Sequence, residues 1–183
     1  MRKDRIVKGL RRNRVYHKYL GIFLCIIVIV SAVTGIILSY KKQIDWIQPP
    51  TQKGTTQTLS NWLPLYQLEE IALTTFREVQ PTEQKPKIDR IDVRPSKGIA
   101  KVLLNDNWWE IQINGQTGEI LSVQKRHSDW IEAIHDGSIV GEIFKLISMN
   151  ILGFGLILLS MTGLWLWYGP KYFKKLKESE IKK

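Results

Sequence analysis

The chain has 183 residues, 44% of them apolar and 24% charged, with a formal net charge of +10. Two stretches, Tyr19 to Tyr40 and Leu146 to Pro170, contain no Asp, Glu, Lys or Arg. Because about 20 apolar residues cross a hydrocarbon core at about 1.5 Å per residue, these stretches exclude a conventional soluble enzyme and predict two transmembrane helices.

The first stretch follows a basic segment, residues 1–18, which holds eight Lys or Arg and one acidic residue. A signal peptide is the alternative, but its apolar region is roughly 7–15 residues long and ends at a small-residue cleavage site. This stretch ends in Tyr40-Lys41-Lys42, so we predict an uncleaved signal anchor over residues 19–40. Its Cys25 is the only cysteine, which excludes an internal disulfide and predicts a lipid-facing or packing role.

Residues 41–64 read as a linker, with Trp46 as an aromatic anchor at the outer interface and a Pro- and Thr-rich run from Pro49. From Leu65 the apolar residues recur at helical intervals, which predicts one amphipathic helix over about 65–79, ended by Pro81 and Pro86.

Partial alternation of apolar and polar residues predicts an antiparallel meander after this helix. The expected strands are 88–93, 99–104, 108–113 and 119–123. We expect Gly118 to need a positive φ in the last turn. The predicted core places Leu68, Ile71 and Phe76 of the helix against Val102, Leu104 and Ile111 of the sheet.

The outer domain, residues 65–125, shows no catalytic constellation. Its conspicuous acids are expected on the solvated surface: Glu69, Glu70, Asp89 and Asp92. An interfacial segment, 126–142, then leads to a second transmembrane helix, 143–168, and a basic tail, 169–183.

Charge is partitioned along the chain. Residues 1–18 carry a net +7, residues 41–145 a net −1, and residues 171–183 a net +4. By the positive-inside rule both termini are expected in the cytoplasm and residues 41–145 outside or in the periplasm. Because the basic residues flank the spans and no nucleic-acid motif accompanies them, we expect anionic lipid headgroups of the bilayer as their partner, and no nucleic acid.

The three histidines lie at or near the membrane boundaries. His127 has polar neighbours, which favour simple exposure. His17 and His135 are candidate ligands of a haem iron, with solvation at the interface as the alternative. They lie at opposite ends of the spans, so they cannot share one iron within one chain.

The two spans resemble each other. Each begins with a histidine followed by glycine, as in His17 to Gly21 and His135 to Gly137, and each ends in Thr-Gly, at Thr34-Gly35 and Thr162-Gly163. Further small residues suit close helix contact: Gly141, Gly153, Gly155 and Ser160. With Trp109 to Ile113 and Asn114 to Ile120, which resemble the end of a PepSY module, these motifs make the chain similar to PepSY-associated transmembrane-helix (PepSY-TM) proteins over His17 to Gly169.

This resemblance implies an α+β membrane protein, in which two transmembrane helices flank a small PepSY-like outer module with one helix on a three- or four-stranded antiparallel sheet. It also implies a bacterial plasma (inner) membrane location. The function expected first is a membrane-anchored PepSY module that binds or regulates a protein partner outside the membrane.

The alternative function is a homodimeric b-type haem protein that moves electrons across the membrane to an outer acceptor such as ferric iron, as in siderophore reductases with four spans. His17 and His135 would then be its cofactor-binding residues and the ligands of the haem iron. Because this chain has two spans, the alternative requires a homodimer or another membrane partner.

Overall fold

The computed structural model describes residues 2–81, 86–105 and 108–181, with side chains at 7–81, 86–105, 108–175 and 178. The described chain forms two compact units. One combines the residues up to Gly35 with those from Ala133, and the other is Ile36–Glu132. Each unit is described by itself.

The first unit is built on two long apolar helices, α1 (Arg2–Ser39) and α4 (Glu142–Ile181), and includes the end of a short helix, α3 (His127–Asp136). Both predicted spans are therefore helical. Val7–Ser39 and Glu142–Lys175 are long and apolar enough to cross a membrane, and an 18-residue window in each has a mean hydropathy of 2.9 and 1.9, respectively. Both helices run on into the basic segments, and Pro170 lies inside α4 without ending it.

Helices α1 and α4 run antiparallel, and glycines of α1 and α4 lie against leucines of the facing helix. Leu24 is fully buried, and a Cβ added to Gly155 would lie 2.6 Å from its Cδ1. Gly21 also faces a leucine, Leu159, but a Cβ there would lie 3.6 Å from its Cδ1, which is an ordinary contact distance. Gly155 thus has the close-contact role expected of it, whereas Gly141 and Gly153 have open space where a Cβ would lie. Cys25 is exposed on α1, as expected for a lipid-facing residue.

The second unit contains α2 (Leu65–Val79) and a four-stranded antiparallel sheet in the order β1 (Ile88–Arg94), β2 (Ile99–Leu104), β3 (Trp109–Asn114) and β4 (Ile120–Lys125). The predicted meander is confirmed, and α2 has the predicted limits. The mixed α+β fold class is confirmed as well.

One face of the sheet packs on α2 through the predicted core. The fully buried cluster includes Leu68, Phe76, Val102, Leu104 and Ile111, and Ile71 is partly buried against it. Apolar burial of this kind stabilises the module by about 25 cal/mol per Å². Glu69 and Glu70 are exposed on the other side of α2, as predicted.

The opposite face of the sheet is covered by a segment we call the strap, residues 47–56. Gln112 Nε2 donates to Pro50 O at 3.0 Å, and Gln52 N donates to Gln112 Oε1 at 2.8 Å. Gly54 N donates to Lys97 O at 2.8 Å. The Pro- and Thr-rich run is therefore hydrogen-bonded to the sheet, and every residue of β2 is buried.

Gly118 has φ +74°, as the turn chemistry predicted. A Cβ there would lie 2.8 Å from Ile71 Cδ1 and 3.0 Å from Leu63 Cδ1. We predict that Gly118→Val lowers the stability of this module by about 2–4 kcal/mol, because it adds backbone strain to overpacking. Thermal unfolding of the full-length protein in detergent would measure this, with Thr117→Val as an exposed neighbouring control. Equal melting temperatures for the two variants would contradict the strain argument.

Candidate functional site: two histidines held by Thr-Gly pairs

His17 lies on α1 and contacts α4. Its Nδ1 is 2.8 Å from Thr162 Oγ1, and a Cβ added to Gly163 would lie 3.3 Å from its Cε1. One turn earlier on α1, Asn13 Nδ2 donates to Thr162 O at 3.0 Å. The Thr-Gly pair that closes the second span therefore receives the imidazole of the first, and glycine leaves room for the ring.

His135 lies at the end of α3 and contacts α1 in the same way. Its Nδ1 is 2.9 Å from Thr34 Oγ1, and a Cβ on Gly35 would lie 3.3 Å from its Cε1. Ser31 Oγ lies 3.4 Å from His135 O. The two ends of the helical unit thus repeat one arrangement, in which α1 supplies the histidine at one end and the Thr-Gly pair at the other.

The threonine hydroxyls determine which imidazole nitrogen carries hydrogen. Thr34 Oγ1 donates to Val30 O at 2.6 Å and Thr162 Oγ1 donates to Leu158 O at 2.8 Å. A hydroxyl has one hydrogen, so while Oγ1 donates to the backbone carbonyl it can only accept from His Nδ1–H. In a neutral imidazole this tautomer leaves the lone pair on Nε2, which is the arrangement of a metal-ligating histidine whose other nitrogen is held by a hydrogen bond.

The two histidine sites are separate. Thr34, which holds His135, lies seventeen positions beyond His17 on α1. At about 1.5 Å per residue this separation is about 26 Å along the helix. The structure therefore agrees with the expectation that the two imidazoles cannot bind one iron in one chain.

An apolar cavity of about 170 Å³ lies beside His135. Its wall comes mainly from α1 and α4, with two serine hydroxyls at the edge: Ile26, Val30, Ser31, Phe144, Ser148, Met149 and Leu152. Sites that enclose a small molecule are usually larger, roughly 300–1,000 Å³. This cavity is therefore smaller than a typical small-molecule site.

The turn after His135 is fixed by charge and by backbone geometry. Gly137 has φ +82° and follows the last residue of α3, Asp136. Burial alone would raise the pKa of Asp136, but hydrogen bonds from Lys145, at 2.6 Å, and from Ser138 outweigh it and hold the pKa below the ordinary 3.8. This pair connects α3 to α4 and so positions His135.

His127 differs from the other two histidines. Its ring stacks on Trp46 with centroids 4.5 Å apart, and Trp130 Nε1 donates to its Nδ1 at 3.1 Å. Its lone pair is therefore already used, and the ring is partly buried between aromatic side chains rather than simply exposed. Trp46, assigned to the outer interface from sequence, is 61% exposed and stacked on this ring.

Sequence reasoning missed a buried polar network in the sheet. Glu110, fully buried, accepts from Lys101 Nζ at 2.9 Å, Gln112 Nε2 at 2.8 Å and Arg126 Nη1 at 3.1 Å. Arg126 Nε also pairs with Asp129 at 2.7 Å. The available signal was a charged residue inside each of two apolar strands, Lys101 and Glu110.

These features define a membrane protein with a helical hairpin that carries two crossed histidine sites, and with a separate α+β module between its spans. The family model described as "PepSY-associated TM region" matches residues 14–180, and the chain belongs to this family. Among curated proteins, none matches the chain significantly.

Proposed function

We propose that this PepSY-associated membrane protein is a homodimeric b-type haem protein that moves electrons across the membrane to an outer acceptor such as ferric iron. The observation that carries the proposal is the crossed arrangement of His17 with Thr162-Gly163 and of His135 with Thr34-Gly35. A histidine kept only for solubility at an interface needs neither a fixed tautomer nor a glycine surface.

The donor set fits haem. Axial ligation needs a neutral imidazole with a free Nε2, and each threonine supports that state by accepting from Nδ1–H. Bound between imidazoles, haem iron supplies one-electron redox chemistry. Within the described residues no group of three or more His, Cys, Asp and Glu is placed to hold a metal ion, so these two single histidines are the candidate ligands.

A second copy of the chain would complete each site. Two imidazoles are required for a six-coordinate iron, and about 26 Å separates the positions within one chain. The His135 cavity is also small enough to be one half of a shared site. On α4, Gly153 and Ser160 are exposed seven positions apart, which gives a small-residue surface for a second helix.

The charge partition supports an orientation with both termini in the cytoplasm and the sheet module outside a bacterial plasma membrane. Net charges of +7 and +4 on the two tails against −1 between the spans carry this part of the proposal. We predict that a phosphatase fused after Lys183, which is active only in the exported compartment, is inactive. An active fusion would reverse the orientation.

The second candidate function is the binding or regulation of a protein outside the membrane by the PepSY module. A shallow groove of about 540 Å³ on α2 favours it, and Tyr66, which lines this groove, is 64% exposed. A photo-crosslinker at Tyr66 of the full-length protein should then capture a partner that a crosslinker at Gln124 does not.

One measurement tests the first function against the second. Full-length protein purified in detergent from haem-replete cells should show a low-spin b-type spectrum, with sharpened bands after reduction by dithionite. A folded, dimeric protein without a Soret band would exclude the haem function and leave the partner-binding role.

A further inference from the structure

The sheet module contains a cavity of about 680 Å³ whose lining is strongly basic. Six of its lining residues are cationic: Lys41, Lys42, Arg94, Lys97, Lys101 and Arg126. None of the lining residues in the described chain is acidic. We propose that this cavity binds a phosphate-bearing anion, either the headgroup of an anionic phospholipid or a soluble phosphate compound.

The floor of the cavity offers hydrogen-bond donors for which the described residues provide no acceptor. The Lys101 side chain is 2% exposed, and its ammonium has one acceptor within the described residues, Glu110 Oε1 at 2.9 Å. An ammonium has three hydrogens, so two have no acceptor in the part of the chain that the structure describes. A buried cation in this state is stabilised by acceptor oxygens, and a phosphate group supplies several.

The rim carries positive charge that the described carboxylates leave mostly unpaired. Lys41, Lys42 and Lys97 form no ion pair in the described chain, and Arg94 reaches Asp92 only at 3.8 Å. On the floor, by contrast, Lys101 and Arg126 are balanced by Glu110 and Asp129. The net positive charge of the cavity therefore lies at its rim, where an anion would enter.

Chain connectivity limits the distance of Lys41 from the end of the first span, where lipid phosphates lie. Lys41 follows the end of α1, at Ser39, by two residues, which is about 7 Å of chain at most. Lys and Arg clusters next to a span gain about 1 kcal/mol each from an anionic surface. Lys41 and Lys42 also lie at the outer end of the span. The positive-inside rule, which accounts for the basic residues of the two tails, does not call for basic residues at this end.

The strap gives the cavity a fixed wall. Pro49, Pro50 and Thr51 line it, and Pro50 O accepts from Gln112 Nε2, which also donates to Glu110. The wall and the buried ammonium are thus positioned by one hydrogen-bonded network before any anion arrives. Such preorganisation lowers the entropic cost of binding.

The test uses the full-length protein in a non-ionic detergent at constant ionic strength. Its thermal unfolding is titrated with short-chain phosphatidylglycerol, with short-chain phosphatidylcholine and with inorganic phosphate. A ligand that binds only the folded protein raises the melting temperature.

The variant removes the rim lysines together, as Lys41→Gln, Lys42→Gln and Lys97→Gln. The matched control removes three exposed charges of the module that do not line the cavity, as Arg77→Gln, Lys87→Gln and Lys125→Gln.

We expect phosphatidylglycerol to stabilise the wild type and the control, and the rim variant to need about 100-fold more of it, since three charges each contribute about 1 kcal/mol. Stabilisation by phosphatidylglycerol but not by phosphate identifies a lipid source. Stabilisation by phosphate with the same dependence on the rim identifies a soluble source. The proposal is overturned if neither anion stabilises the wild type, if phosphatidylcholine acts equally, or if the rim variant responds like the control. All of these outcomes are independent of haem.

Discussion

Full-length protein carrying His135→Ala should lose the haem signal of one site and keep that of the other, and His17→Ala should do the reverse. In a dimer with two shared irons, the wild type should hold about one haem per chain and each variant about half of that. The reason is that each imidazole is held at its own Thr-Gly pair about 26 Å from the other. Pyridine haemochrome assay of the purified variants measures the stoichiometry.

His127→Ala is the matched control for these two variants. Its Nδ1 already accepts from Trp130 and its ring stacks on Trp46, so this variant should keep the full haem content. Equal haem loss in all three variants would show that any histidine substitution disturbs the fold. Equal haem retention would exclude His17 and His135 as ligands.

Substitutions of the two threonines distinguish a hydrogen bond that positions each histidine from simple packing of the side chain. Thr162→Val and Thr34→Val keep the shape of the side chain but remove the acceptor for Nδ1–H, so haem retention should fall by about 10- to 100-fold. Thr→Ser keeps the hydroxyl and should restore it. If valine and serine behaved alike, the hydrogen bond would have no part in ligand positioning.

Glu110→Ala should destabilise the sheet module by about 3–5 kcal/mol, the largest stability effect we expect from a single substitution there. The side chain is fully buried and accepts from Lys101, Gln112 and Arg126. Its removal leaves the Lys101 ammonium uncompensated in a buried position. Hydrogen exchange of the β2 and β3 amides in the full-length protein would report the loss locally.

Glu119→Ala is the matched control, because this glutamate is exposed in the turn after β3. Its effect should stay within about 0.5 kcal/mol, as for ordinary surface substitutions. Equal exchange rates in the two variants would mean that water already solvates the network.

Elements of the sheet module could be predicted wherever the spacing of apolar residues agrees with the positions of helix-ending and turn residues. The period of Leu68, Ala72 and Phe76, followed by Pro81, determines both ends of α2, and Asn or Gly turns separate the strands. The cover on the sheet face opposite α2 could not be predicted, because the sequence of the strap has no periodic spacing of apolar residues. The strap is Pro- and Thr-rich, and its side chains show no preference for a buried face until Gln112 and Asn114 are in place to bond it.

The candidate site could likewise be predicted from the sequence only in part. The two histidines and both Thr-Gly pairs are visible as a repeat in the sequence, so their residue types could be found. Which histidine meets which pair depends on the antiparallel register of α1 and α4, and that register is set by packing such as Leu24 against Gly155. Sequence spacing within one helix contains no information about that register.

The glycine and leucine contacts between α1 and α4 fix the distance between the two histidine sites as well as the packing of the helices. Each residue added to a helix rotates everything beyond it by about 100° and moves it by about 1.5 Å. A single insertion between His17 and Thr34 would therefore turn one imidazole or its threonine away from its counterpart while the apolar surface still suits lipid. The distance between the two sites is therefore fixed. Apolar residues of the spans can be exchanged for one another, but the number of residues between the sites cannot change.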